Sequence, residues 1–179
     1  MRKFNAILTA AILVLFLVHA ILGGFQLLGV GSTAVKAVAW VDAVLILIHT
    51  AIGVKLTVDT LKVQKQTGVG YFRHNLLFWA RRISGIAVMV LLFFHLTAFG
   101  SASGAAYRLQ WFDTAKLITQ LLLVLALALH IISNVRPMLI SFGIRSLRER
   151  VGDILFILSV LLLFMAVAFI VYFLRWNTI

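Results

Sequence analysis

Residues 83–104 read ISGIAVMVLLFFHLTAFGSASG, a run without Asp, Glu, Lys or Arg that holds one histidine, His95. About 20 apolar residues is the length a helix needs to cross the hydrocarbon of a bilayer, so the run reads as a transmembrane helix. An imidazole inside such a span is expensive unless it has a partner or a ligand. A span, and a histidine that needs company, are the two readings from which the rest follows.

Four more stretches of the same kind lie near residues 4–24, 37–57, 117–135 and 154–174. With 63% hydrophobic and 12% charged residues, a soluble globular domain is excluded in favour of an integral membrane protein. The expectation is an all-α membrane protein of five transmembrane helices forming one domain over residues 1–179, its first four helices making a cofactor-binding bundle. The first segment follows Met1-Arg2-Lys3 like a secretory signal, but it has no clear small-residue cleavage pattern and holds His19, so it is read as a true helix. No repeat or low-complexity tract interrupts the chain. Pro137, the single proline, reads as the end of the fourth helix.

Sixteen basic residues against five acidic ones give a net charge of +11. Five crossings put Arg2, Lys3, Lys55, Lys62, Lys65, Arg73, Arg81, Arg82, Arg136, Arg145, Arg148 and Arg150 on one side, and Lys36, Arg108, Lys116 and Arg175 on the other. By the positive-inside rule the N-terminus is cytoplasmic and the C-terminus outside, in a cell inner (cytoplasmic) membrane. The charge is thus a topology signal, and no nucleic-acid partner is expected. The polar loops at about residues 59–75 and 136–153 are basic and long enough to touch a partner. On the outer side Tyr107, Trp111 and Phe112, with Trp40 and Trp176, suit a membrane interface. The absence of cysteine rules out disulfides, cysteine-held iron–sulfur clusters and c-type haem attachment within this chain.

His19, His49, His95 and His130 fall one in each of the first four spans. Counting about 1.5 Å per residue along helices of alternating direction, His19 and His95 lie towards the outer leaflet, and His49 and His130 towards the inner one. The two levels are separated by roughly 10 Å on this count. One intramembrane histidine is ordinarily satisfied by a neighbouring helix. Four in matched pairs point instead to two stacked bis-histidine haems, since imidazole is a good axial ligand and helix bundles build cofactor sites from facing helices. A proton relay would call for carboxylates at similar depth, and helices one, three, four and five have none.

Other residues take positions from these four. Ser84 is 11 residues before His95, near the inner pair, and Arg82, Arg81 and Lys55 stand at the inner boundary, where they can pair with haem propionates or snorkel to the interface. Gly53 and Gly85 leave space near the inner cofactor plane or allow close helix packing. Asp42 lies seven residues before His49, and Gln26 seven after His19, which makes them candidates for an outer quinone site; Asp42 also suits a helix start. Tyr71, His74, Asn75, Trp79 and Ser84 are the inner alternative for a quinone.

The stretch Phe78-Trp79-Ala80-Arg81-Arg82-Ile83-Ser84-Gly85, with the apolar run to Phe94-His95-Leu96, resembles the Arg-x-Ser-Gly…His signature of succinate dehydrogenase and fumarate reductase cytochrome b subunits. Five helices with one histidine in each of the first four look like the single-chain, two-haem anchors of that family. The resemblance implies two haem b groups, His19 with His95 at the distal one and His49 with His130 at the proximal one. It also implies a flavoprotein that interconverts succinate and fumarate, an iron–sulfur subunit docked on the cytoplasmic loops, and menaquinone or another quinone as substrate. Some fumarate-reducing members carry a glutamate two residues before the fourth histidine; here that position is Ala128, which tilts the expectation towards quinone reduction by succinate. Alternatives are a two-haem anchor for another respiratory dehydrogenase, such as a hydrogenase or formate dehydrogenase, and a haem-free membrane scaffold or transporter.

Overall fold

The computed structural model describes residues 2–30, 34–67, 75–99, 111–143 and 149–177, and among them it has five long helices and no strand. In chain order these are α1 Arg2–Leu27, α2 Ala34–Thr67, α3 Leu76–Phe99, α4 Thr114–Phe142 and α5 Val151–Asn177. Each is long and apolar enough to cross a membrane. Backbone N–H and C=O groups find no partner in lipid, so an apolar run of this length is stable there only as a helix that satisfies them internally.

Helix ends follow local chemistry. Gly29, at φ 92°, closes α1 in a Schellman arrangement, with Val30 N–H donating to Phe25 O (2.9 Å) and Gly29 N–H to Gln26 O (3.0 Å). Asn75 caps α3 by accepting from Phe78 N–H, and Asp113 caps α4 by accepting from Lys116 N–H at 2.8 Å. That backbone bond holds the Asp113 carboxyl below the usual carboxylate range. Gly143, at φ 70°, ends α4.

Three boundaries differ from expectation. α2 continues ten residues past the apolar run to Thr67, since Thr57-to-Thr67 contains no Gly or Pro to stop it; within it the Thr57 and Thr60 hydroxyls bond back to the carbonyls of Gly53 and Leu56. α3 begins at Leu76 rather than near Ile83, so Trp79, Arg81 and Arg82 are helical. α4 runs through Pro137 to Phe142 instead of stopping there. Proline strips the carbonyl four residues earlier of its helical donor. That carbonyl, Ser133 O, instead accepts from Arg81 Nε at 2.8 Å, so α3 supplies what α4 lacks.

Packing runs in the order α2, α1, α5, α4, α3, with α1 also touching α4. α5 is therefore part of the bundle wall and not an appendage to the other four. Two apolar clusters mark the ends. Leu27, Phe112, Ala168, Phe169 and Tyr172 gather where α1 and α5 finish and α4 starts. Val135, Leu139 and Leu158, with Leu13 and Leu17, gather where α4 ends and α1 and α5 begin. A Cβ at Gly24 would collide with the Phe164 ring, so α1 and α5 cross there by virtue of the missing side chain. α2 packs chiefly on α1 and α3 chiefly on α4. These two outer helices meet at contacts such as Thr50 Oγ1 to Met89 Sδ (3.2 Å). The four histidine-bearing helices thus form an arc around a common interior. The alternation also defines a basic face, carrying the start of α1, the ends of α2 and α4 and the starts of α3 and α5.

Candidate functional site

The histidines occupy two levels. Nearer the basic face, His49 Nδ1 on α2 lies 3.1 Å from Asn5 Oδ1 and 3.3 Å from Thr9 Oγ1, both on α1. His130 Nδ1 on α4 lies 3.2 Å from Ser84 Oγ on α3, beside the Arg81 backbone. His49 and His130 are close enough to repel one another if charged, and Arg82 is close to both. Gly85 is the reason α3 can come this near: a Cβ there would sit 3.2 Å from His130 Cε1 and 3.4 Å from its Nδ1.

At the far level the rings of His19 on α1 and His95 on α3 stand with centroids 6.0 Å apart and planes at 89°. Two imidazoles on opposite sides of one metal ion, each bonded at about 2 Å, have centroids roughly 6 Å apart. His95 Nδ1 is 2.8 Å from Gln120 Oε1 on α4, and the Phe99 ring lies 5.3 Å from the His95 ring. The buried Nδ1 of His19 has no hydrogen-bond partner.

His19 and His95 are thus ring neighbours at the far level, and His49 and His130 share the near level. The separation of the two levels is larger than the expected figure. Ser84 at the near level and His95 are 11 residues apart on α3, and Thr9 and His19 are ten apart on α1, so two helices independently give about 15–17 Å. The earlier count was taken from hydropathy edges, which misplace the start of α3; contacts across helices do not depend on those edges.

Other candidates fall into place unevenly. Ser84 is buried and bonded at His130. Arg82 has a buried Nε without a hydrogen-bond partner, and its guanidinium stands 5.0 Å from the Phe78 ring centroid. Arg81 is committed to Ser133 O. Lys55 is exposed, and nothing lies within 4 Å of the Cβ position at Gly53. Asp42 is buried at 4% exposure, and its Oδ1 has no hydrogen-bond partner, whereas Gln26 is half-buried on α1. Asn75 is a helix cap, and Trp79 is half-buried against Phe78. Tyr71 and His74 lie outside the described residues.

Asn5, Thr9 and Gln120 were not singled out from the sequence. Gln120 carried one legible signal, an amide within the apolar run Leu117–His130. Asn5 and Thr9 carried none, since their meaning depends on which helix faces them.

The donor set suits a bis-imidazole cofactor. A metal-binding histidine commonly gives its second ring nitrogen to a polar partner, which fixes the tautomer and leaves the other nitrogen for the metal. His49, His95 and His130 each hold Nδ1 against a polar side chain of a different helix. No group of three or more His, Cys, Asp or Glu that could hold a metal ion gathers among the described residues. The chain matches no protein-family model, and neither a curated protein nor a solved structure is significantly similar to it.

Proposed function

We propose that this chain is a dihaem cytochrome b membrane subunit of a succinate:quinone oxidoreductase, carrying electrons between an iron–sulfur partner at its basic face and a membrane quinone. The observation that carries the reading is the shared arrangement of His49, His95 and His130, each tied at Nδ1 by a side chain from another helix. His19 with His95, and His49 with His130, are the residues that would hold the two haem groups. When bound, two haem b groups at these levels supply one-electron exchange with no open coordination position for oxygen.

The protein's own groups do the remainder. Asn5 and Thr9 orient His49, and Ser84 orients His130. Arg82, with its buried Nε unpartnered beside the near pair, offers a cation to carboxylates of the haem-propionate type. Asp42 is the group proposed to exchange a proton with quinone, because its Oδ1 is buried at the end of the bundle away from the basic face and has no protein partner. The exposed Lys62 and Lys65 on the extension of α2, with Arg136 and Arg150, form the face for an iron–sulfur subunit and its flavoprotein. By the charge bias this face is cytoplasmic.

Purification and reduced-minus-oxidised spectroscopy test the proposal. Two b-type haems per chain are expected, with His95→Leu and His130→Leu each removing a different one. Succinate should reduce the haems when flavoprotein and iron–sulfur subunits co-purify. A chain with no haem bands points to a scaffold or transporter, and haem reducible by hydrogen or formate but not succinate points to another dehydrogenase.

A further inference from the structure

Of the three buried polar side chains among the described residues, Asp42, Ser84 and Gln120, only Gln120 has no exposure at all. A buried amide left unsatisfied costs about 1–3 kcal/mol. Gln120 avoids this through its 2.8 Å contact with His95 Nδ1, while its amide nitrogen reaches only Thr119 Oγ1 at 3.4 Å. Leu117, Val124 and Phe99 pack near this point, and Phe99 also lies against the His95 ring. His95 is thus bonded at Nδ1 by an amide and contacted by a tilted aromatic ring. Its counterpart His19 has no acceptor at Nδ1.

We propose that Gln120 is a positioning residue for His95: its carbonyl accepts the Nδ1 proton, fixes the tautomer with Nε2 as the metal donor, and lowers the reduction potential of the far cofactor. This rests on the dihaem reading above. An Nδ1–H that donates to a carbonyl makes Nε2 a stronger electron donor to the metal, and a stronger donor favours the oxidised iron. At the near level other side chains, Asn5, Thr9 and Ser84, meet Nδ1 of His49 and His130, so residue 120 adjusts one potential and leaves the other alone.

The experiment is an optical redox titration of the haem-loaded full chain, comparing wild type with Gln120→Leu and Gln120→Glu. In Gln120→Leu one of two midpoint potentials should rise by roughly tenfold in the reduction equilibrium, about 59 mV for one electron. Gln120→Glu restores an acceptor and should return that potential to the wild-type value or below it. The second potential should stay unchanged in both. If Gln120→Leu instead loses one haem that Gln120→Glu retains, the same role is read as a 10–100-fold loss of affinity. Potentials that ignore residue 120, or that shift together at both sites, overturn the inference. A wild-type chain that binds no haem overturns the dihaem reading itself, which is a separate and distinguishable result.

Discussion

Gly85 shows how much one missing side chain governs at the near pair. An added methyl would sit 3.2 Å from His130 Cε1, tighter than ordinary contact, so the ring or the helix must yield. Two effects oppose each other in Gly85→Ala: a helical gain of about 1 kcal/mol and an overpacking penalty of about 1–3 kcal/mol. The second wins, and for Gly85→Val it wins by more. The expected outcome is a chain that keeps the far haem and loses the near one in Gly85→Val, with a smaller change in Gly85→Ala, measured as haem per chain. Unchanged content in the valine variant would show that α3 and α4 need not approach as closely as they do. Sequence reasoning had left Gly85 between cofactor space and helix packing. It is a packing glycine whose neighbour happens to be a proposed ligand, so both readings describe one contact.

Between elements, the Arg81–Pro137 relation is the clearest case of one helix completing another. Pro137 would ordinarily be read as a stop, and in water the freed Ser133 carbonyl could take a solvent bond. Within the bundle Arg81 Nε takes that role at 2.8 Å. Removing the donor in Arg81→Leu should therefore destabilise the protein by about 1–3 kcal/mol, the range for an unsatisfied buried polar group. In a Pro137→Ala background the alanine N–H restores the helical donor, and the same substitution should cost markedly less. Denaturation in detergent of the four proteins of this double-mutant cycle measures the coupling; additive effects would mean that Ser133 O finds another partner. This pair also explains why the helix end was misread. Proline's rule is local, while the compensating donor lies 52 residues before the Ser133 carbonyl it serves.

Taken whole, the molecule is an arc of helices whose outermost members, α2 and α3, are each anchored mainly on one neighbour. Phe93, Phe156, Leu163 and Leu174 are among the large apolar side chains exposed on its surface. That is the surface lipid requires, and it would be untenable in water. The cytoplasmic placement proposed for the basic face is directly testable, because the chain contains no cysteine. Single-cysteine variants Lys62→Cys and Lys36→Cys should react with a membrane-impermeant thiol reagent from opposite sides, Lys62→Cys only from the cytoplasm. Labelling of Lys62→Cys in intact cells would invert the topology and move the proposed soluble partners to the wrong face.

Composition and spacing are enough to read this chain as a helical membrane protein and to expect its histidines at two depths. Both properties are one-dimensional: a bilayer demands apolar runs of a given length, and depth follows from counting residues along them. Three outcomes came from packing alone: which polar groups meet the imidazoles, the place of α5 in the wall, and the passage of α4 through its proline. Those outcomes depend on how each helix is rotated and on what stands opposite. Cross-helix packing sets that angle, and no periodicity within one helix encodes its neighbour.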